Sequence, residues 1–319
     1  MAESDRSKFV SGALRVLNTA QKDDFGAESG GREVDATDIK SSGRMRERYK
    51  RLIVLAAYLL DHPRDQLSLT ELSSLLQVAK STLSEDLMFV KGVLEAAGHG
   101  TVLTQVGVQG GVVYIPGLDR VRARNSLQKW VDRLVEPDRL TPDGFLYMTD
   151  LLFDPDLVDP LGELLAFPFT NLHVDSVATV ETKGIPLAMA CARALGTEVV
   201  LIRRDSRLSE GSAVSINYLS GSSRRIQSMS LSRRALKPGS SVLFVDDFMK
   251  AGGTARAAAD LLGEFGATVV GVGVLVATKD PANKLIDRFW SLLEWHENAP
   301  SRVVPSEWAN ALCRVREES

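Results

Sequence analysis

Between residues 174 and 277 short apolar runs alternate with helical patterns, and no other feature of the chain restricts its fold as strongly. VDSVATVE (174–181), TEVVLIRR (197–204), SSVLFVDDF (240–248) and TVVGVGVLVA (268–277) read as strands. IPLAMACARAL (185–195) and TARAAADLLGEFG (254–266) read as the helices between them. Strands apolar at nearly every position have no solvent face. They belong to a parallel sheet covered by helices on both sides. VSINYLS and RIQSMSLS, with their period-two alternation, read as a β-arm inserted into this pattern.

The chemistry concentrates at one strand end. In VLFVDDFMKAGGT (242–254) a buried strand delivers Asp246 and Asp247 to its C-terminal end, and a loop through Phe248, Lys250, Ala251, Gly252 and Gly253 opens a helix at Thr254. Ligands of open α/β sheets bind in the crevice at strand C-termini. Successive backbone N–H groups at a helix start suit a phosphate, and glycine lets the backbone close around it. Two carboxylates beside a phosphate cradle would repel the phosphate itself. They fit a partner with hydroxyl donors, such as a ribose, so the segment is expected to hold a ribose 5-phosphate. A second loop, Glu181-Thr182-Lys183-Gly184, also follows a strand and opens a helix. Lys183 brings charge, Gly184 permits close approach, and the helix N-terminus favours an anion. Arg203, Arg204 and Arg207 follow the next strand and either reach that anion or form a solvated basic face.

The N-terminal part has a different pattern. Leu52, Ile53, Ala56, Leu59 and Leu60 build one helix face that Pro63 ends. Ser68 with Glu71, and Thr82 with Glu85, read as two capping boxes that start two further helices in tight succession. Two alternating segments, 102–108 and 112–115, joined through Gly110-Gly111, read as a β-hairpin. Three helices and a hairpin make a winged helix-turn-helix. Its second helix would enter the DNA major groove with Lys80, Ser81, Thr82 and Ser84. Arg46, Arg48, Lys50 and Arg51 suit phosphate contacts. Residues 44–124 hold eleven Lys and Arg against eight Asp and Glu, whereas the whole chain has a net charge of −3. The module is therefore expected to bind double-stranded DNA, with a purely dimerising role as the alternative.

The segment DDFMKAGGT resembles the signature of type I phosphoribosyltransferases, which grip the 5-phosphate of phosphoribosyl pyrophosphate (PRPP). Ala251 departs from that signature, because many members carry threonine there. The loop at 181–184 matches the family's pyrophosphate loop. A winged helix joined to such a domain, together with KSTLSEDL, GGVVYIP, KGIPLA and EGSAVSINYLSGSSRRIQSMSL, resembles the purine operon repressors of Gram-positive bacteria over about residues 45–295. That resemblance implies a homodimeric repressor of purine synthesis and transport genes, with PRPP as effector in a site that has lost transferase activity. On this reading no residue is catalytic. Mg²⁺ enters only with PRPP, and guanosine tetraphosphate, with two phosphate groups to span both loops, is an expected competitor. The rival reading is an active purine or xanthine phosphoribosyltransferase with a regulatory DNA-binding head.

The remaining expectations come from bulk properties. At 319 residues the chain suits about two domains of roughly 100–200 residues. The expected boundaries are a flexible tail (1–43), a winged-helix domain (44–118), a linker helix (119–145), an α/β effector domain (146–298) and a C-terminal tail (299–319). Cys191 and Cys313 stand too far apart for a metal motif and suggest a reducing cytoplasm. No run approaches the roughly 18 apolar residues of a membrane helix, so no membrane partner is expected. The histidines lack partners at metal-ligand spacing, so no metal site is expected. Trp290 and Trp295 are expected to pack in a core or dimer surface, and Phe145 and Tyr147 are expected to be packed, with a place beside the effector pocket as the alternative.

Overall fold

The structure is a computed structural model. It describes residues 36–105, 111–142, 144–204, 211–219, 226–296 and 302–313. The chain divides into two compact units after Gly117.

The first unit contains α1 (Ala36–Asp61), β1 (Leu67–Ser68), α2 (Leu69–Leu75), α3 (Lys80–Ala96), β2 (Gly100–Gln105) and β3 (Gly111–Pro116). Its three strands pair antiparallel in the order β1-β3-β2. Leu55, Leu59, Leu72, Leu83 and Val112 form the buried centre. The expected helix–helix–hairpin order is present, with two corrections. Residues 36–43, expected in the tail, are helical: no proline interrupts them, and Gly43 alone costs only about 1 kcal/mol against alanine. Residues 1–35 of that tail lie outside the described residues. The second correction concerns the start of α3. Ser68 does cap α2, its Oγ accepting from the Thr70 and Glu71 amides at 3.2 and 3.4 Å. Thr82, however, does not cap α3, which begins at Lys80 behind Ala79. The Leu83 amide already closes the first turn on the Ala79 carbonyl at 3.0 Å. Ser84 Oγ bonds back to the Lys80 carbonyl at 2.9 Å.

The second unit opens with α4 (Arg120–Leu134), α5 (Thr149–Leu152) and α6 (Pro155–Ala166). Then follow β4 (Ser176–Val180), α7 (Ile185–Leu195), β5 (Glu198–Ile202), the ribbon strands β6 (Ala213–Leu219) and β7 (Ile226–Ser232), β8 (Ser241–Met249) and α8 (Gly253–Gly263). β9 (Thr268–Thr278), β10 (Trp290–His296), β11 (Arg302–Pro305) and α9 (Glu307–Cys313) complete it. The main sheet runs β11-β10-β9-β8-β4-β5. Every pairing is parallel except β10 with β11. On β8, Leu243 and Val245 enter the core shared with α4, α6 and α7, while Val242 and Phe244 enter the core shared with α8 and the ribbon. That alternation between two apolar faces is the covered parallel sheet expected from sequence.

Three expectations fail here. The stretch 119–145 is not a linker. Along α4, Ala123, Leu127, Trp130 and Leu134 follow helical spacing into the core, and the Trp130 indole donates to the Leu157 carbonyl at 3.3 Å. Its many charges lie on the opposite face, as an amphipathic helix requires. The stretch 299–319 is not simply a tail either. Val303 of β11 and Ala309 and Cys313 of α9 are buried, and Trp308 Nε1 donates to the Ser291 carbonyl at 2.7 Å. Phe145 and Tyr147 are about half exposed, whereas Trp290 meets Phe169 edge-on at 4.9 Å and Trp295 is buried.

Candidate functional site

β8 is the centre of the parallel sheet, and its last residues form the candidate site. The carboxylates of Asp246 and Asp247 sit half-buried where β8 passes between β4 and β9. The Asp247 amide donates to Asp246 Oδ1 at 2.9 Å. Burial holds the Asp246 carboxyl well above the usual carboxylate range, and the charge of Asp247 pushes it further. Burial also raises Asp247, against the pull of Asp246, Lys183 and Arg204. Two carboxylates kept so close disfavour ionising together, and the charges of Lys183 and Arg204 offset part of that cost.

The strand runs on through Phe248 to Met249, so the loop is tighter than expected and α8 begins at Gly253. Gly252 caps that helix with a φ of 82°, a backbone that side-chain-bearing residues rarely adopt. Residues Phe248 to Ala255, with Asp246 and Val274, line a cavity of about 40 Å³ open to solvent. A single water needs roughly 10–15 Å³ by the same measure, so this space suits a phosphate group better than a ring system. Phe248 leans on Trp295 at 5.9 Å between ring centres, which fixes the strand end against β10.

The second loop lies directly against the acid pair. A Cβ added at Gly184 would stand 2.3 Å from Thr179 Oγ1 and 3.1 Å from Asp246 Oδ1. Gly184 therefore seats the loop against Asp246, and the charge of Lys183 acts on Asp247. Gly184→Ala is expected to push this loop off its seat. Pyrophosphate affinity should fall at least about 10-fold, the loss of one charge-assisted hydrogen bond, by isothermal titration. Ribose 5-phosphate affinity should change much less.

Arg203 is engaged with the protein's own groups. Its backbone pairs with Ser230 of β7, and its guanidinium bonds Glu181 Oε2 at 3.1 Å, bracing the base of the second loop. Arg204 is exposed, and its charge acts on both carboxylates. Arg207 lies outside the described residues. Sequence reading missed Lys284 and Thr278 altogether. The Lys284 ammonium donates to the carbonyls of Lys250 and, at 2.7 Å, Thr278. The Thr278 hydroxyl sits 3.3 Å from the same Lys250 carbonyl. No nearby motif announces a contact made from 34 residues away. Among the described residues, no group of three or more His, Cys, Asp or Glu side chains is placed to hold a metal ion.

In the first unit, Lys80, Ser81 and Ser84 are exposed at the start of α3, and Thr82 is half-buried beside them. Arg46 is exposed on α1, and Lys50 lies 3.5 Å from Glu47. Arg51 departs from its expected role. Its Nε meets Asp86 Oδ2 at 2.5 Å, with the arginine side chain 14% and the aspartate 2% exposed. Arg48 reaches the other Asp86 oxygen at 3.6 Å and lies over the Phe89 ring. Arg51 therefore clamps α1 to α3, and its charge is committed to a buried carboxylate.

Comparison with known proteins divides the chain the same way. A family model for the N-terminal domain of the bacterial purine repressor matches residues 47–116, and one for the phosphoribosyl transferase domain matches residues 151–306. The chain is 47% identical over 243 residues to the purine biosynthesis transcriptional repressor PurR of Bacillus subtilis, covering 76% of this chain and 85% of that one. It is 39% identical over 248 residues to the purine biosynthesis transcriptional activator PurR of Lactococcus lactis subsp. lactis, covering 78% and 92%. A crystal structure of adenine phosphoribosyltransferase from Thermoanaerobacter pseudethanolicus aligns with a TM-score of 0.46 at 24% identity, over 53% of this chain and 99% of that one.

Proposed function

The chain belongs to the bacterial family of purine biosynthesis transcriptional regulators, and on that premise we propose that it is a repressor whose phosphoribosyltransferase-like unit senses PRPP without consuming it. One observation carries the proposal: Gly184 of the second loop stands against Asp246, and Asp246 also lines the cavity formed with residues 248–255. Each part of PRPP then has a partner. The amides of the Ala251–Thr254 turn take the 5-phosphate, with the Thr254 hydroxyl beside them. The two carboxylates accept from the ribose 2′ and 3′ hydroxyls. Thr182, Lys183 and Gly184 hold the pyrophosphate at the N-terminus of α7, with Arg204 near. Mg²⁺ arrives on the pyrophosphate and supplies counter-charge there.

Lys80, Ser81, Thr82 and Ser84 would read base edges in the operator, and Arg46, Arg48 and Lys50 would meet phosphates. A homodimer would present two such helices to the two halves of an operator. PRPP releases DNA only if it binds the DNA-free arrangement more tightly than the DNA-bound one. Guanosine tetraphosphate, with a phosphate pair for each loop, would compete for the same space. The higher identity to the Bacillus repressor than to the Lactococcus activator supports repression as the sign.

Retention of both acids and both loops favours a second reading, an active purine or xanthine phosphoribosyltransferase. Against it stands Ala251, which removes a hydroxyl from the cradle. The test is a titration of PRPP with Mg²⁺, followed by incubation with adenine, guanine, hypoxanthine or xanthine. Saturable heat with no pyrophosphate release is the expected pair of results. Steady release with any base would make the chain an enzyme. No heat at millimolar PRPP would remove the sensor.

A further inference from the structure

The phosphate cradle is held from behind by a segment that sequence reading never connected to it. After β9 the chain passes residues 279–289 and returns to the loop. There the Lys284 ammonium donates to the Lys250 carbonyl, to the Thr278 carbonyl at 2.7 Å and to Thr278 Oγ1 at 3.2 Å. The next backbone amide, that of Leu285, donates to the Ala251 carbonyl at 2.9 Å. Two consecutive carbonyls of the cradle are thus turned toward residues 284–285. The peptides after Lys250 and Ala251 are trans. In a planar trans peptide the N–H points opposite to the C=O. The amides of Ala251 and Gly252 therefore point away from residues 284–285, and both residues line the cavity. Gly252 suits this close back-to-back approach, since a Cβ there would stand 3.3 Å from the Leu285 nitrogen.

We propose that Lys284 is a positioning residue for the phosphate loop: by fixing the Lys250 carbonyl away from the cavity it presents the Ala251 and Gly252 amides to the ligand's 5-phosphate. The ligand part of this inference rests on the PRPP reading above. Its ammonium does not touch the ligand. It satisfies carbonyls whose dipoles would otherwise swing toward the anion, and adds positive charge behind a loop that must accept negative charge.

The experiment compares full-length wild type, Lys284→Met and Lys284→Arg. Ribose 5-phosphate and inorganic pyrophosphate are titrated separately, and amide hydrogen exchange at residues 251–254 is followed without ligand. Lys284→Met should weaken ribose 5-phosphate about 10-fold or more, the scale of one lost charge-assisted hydrogen bond, and leave pyrophosphate within about two-fold. Exchange at 251–254 should quicken, and Lys284→Arg should recover part of both effects. Unchanged exchange in Lys284→Met overturns the positioning role even if ligands still bind. So does an equal loss of both ligands, which would mean general loosening of the unit. Quicker exchange in a protein whose wild type binds no ribose 5-phosphate would sink the PRPP reading and leave the loop-holding role of Lys284 standing.

Discussion

Asp246→Asn should yield a protein that binds its operator as tightly as the wild type, ignores PRPP, and melts at a higher temperature. Each part has its own cause. Asparagine keeps the shape of the side chain but removes the charge that strengthens hydrogen bonds from ribose hydroxyls. Such bonds to charged groups are worth about 1.5–3 kcal/mol, so PRPP affinity should fall by roughly 10–100-fold. The operator contacts lie in the other unit and should not change. Stability should rise because burial and Asp247 both disfavour the charged Asp246. A carboxyl whose folded pKa lies above its unfolded value binds more protons when folded, so its stability contribution falls as pH rises through that window. Below the unfolded pKa the penalty is absent; above the folded pKa it is complete. At neutral pH the variant should therefore melt above the wild type. Melting curves against pH give the check, since the gap should close on acidification. A variant less stable than wild type at neutral pH would mean that the carboxylate is held by an unseen favourable contact.

The second large effect is expected from Asp86→Ala. It removes the buried partner of Arg51 and the second contact of Arg48. Breaking a buried ion pair by deleting one member typically costs about 3–5 kcal/mol, because the other charge stays buried and unpaired. That is a large share of the roughly 5–15 kcal/mol available to a small domain. The winged-helix unit should melt some 15–30 °C lower, and operator binding should vanish near its new midpoint. PRPP titration of the second unit should be unaffected. Adding Arg51→Met should recover part of the loss, since both ends of the pair are then gone. Two separate melting transitions in circular dichroism, only one of them moved by Asp86→Ala, would be the expected record. A small stability loss with operator binding abolished would instead place Asp86 at the DNA.

Much of this was legible in the sequence where the signal is local. The helix read from IPLAMACARAL coincides with α7 residue for residue, and the strands around it fall within a few residues of their places. Local reading failed where another element decides. Thr82–Glu85 has the letters of a capping box, yet the tight turn before Lys80 starts the helix three residues earlier. α6 went unread because Pro155, Pro160 and Pro168 look like breakers, although Pro155 sits at the first turn, where a proline is tolerated. Two-residue β1 is too short for any periodicity. At the site, the acids and both loops were visible as strand–loop–helix junctions. Arg203, Arg204 and Arg207 look alike in the sequence, but only the fold shows Arg203 and Arg204 both bonded to Glu181, with the charge of Arg204 also acting on the carboxylates. Arg51 with Asp86, and Lys284 with Lys250, join residues 35 and 34 apart, and only the fold brings them together.

The most direct test measures operator affinity of the wild type with and without saturating PRPP and Mg²⁺, at one stated salt concentration. A sensor built on the Asp246–Thr254 site loses operator affinity by about 10-fold or more when PRPP binds, and operator DNA weakens PRPP by the same factor. Operator affinity unmoved by PRPP that demonstrably occupies the site would contradict the effector role.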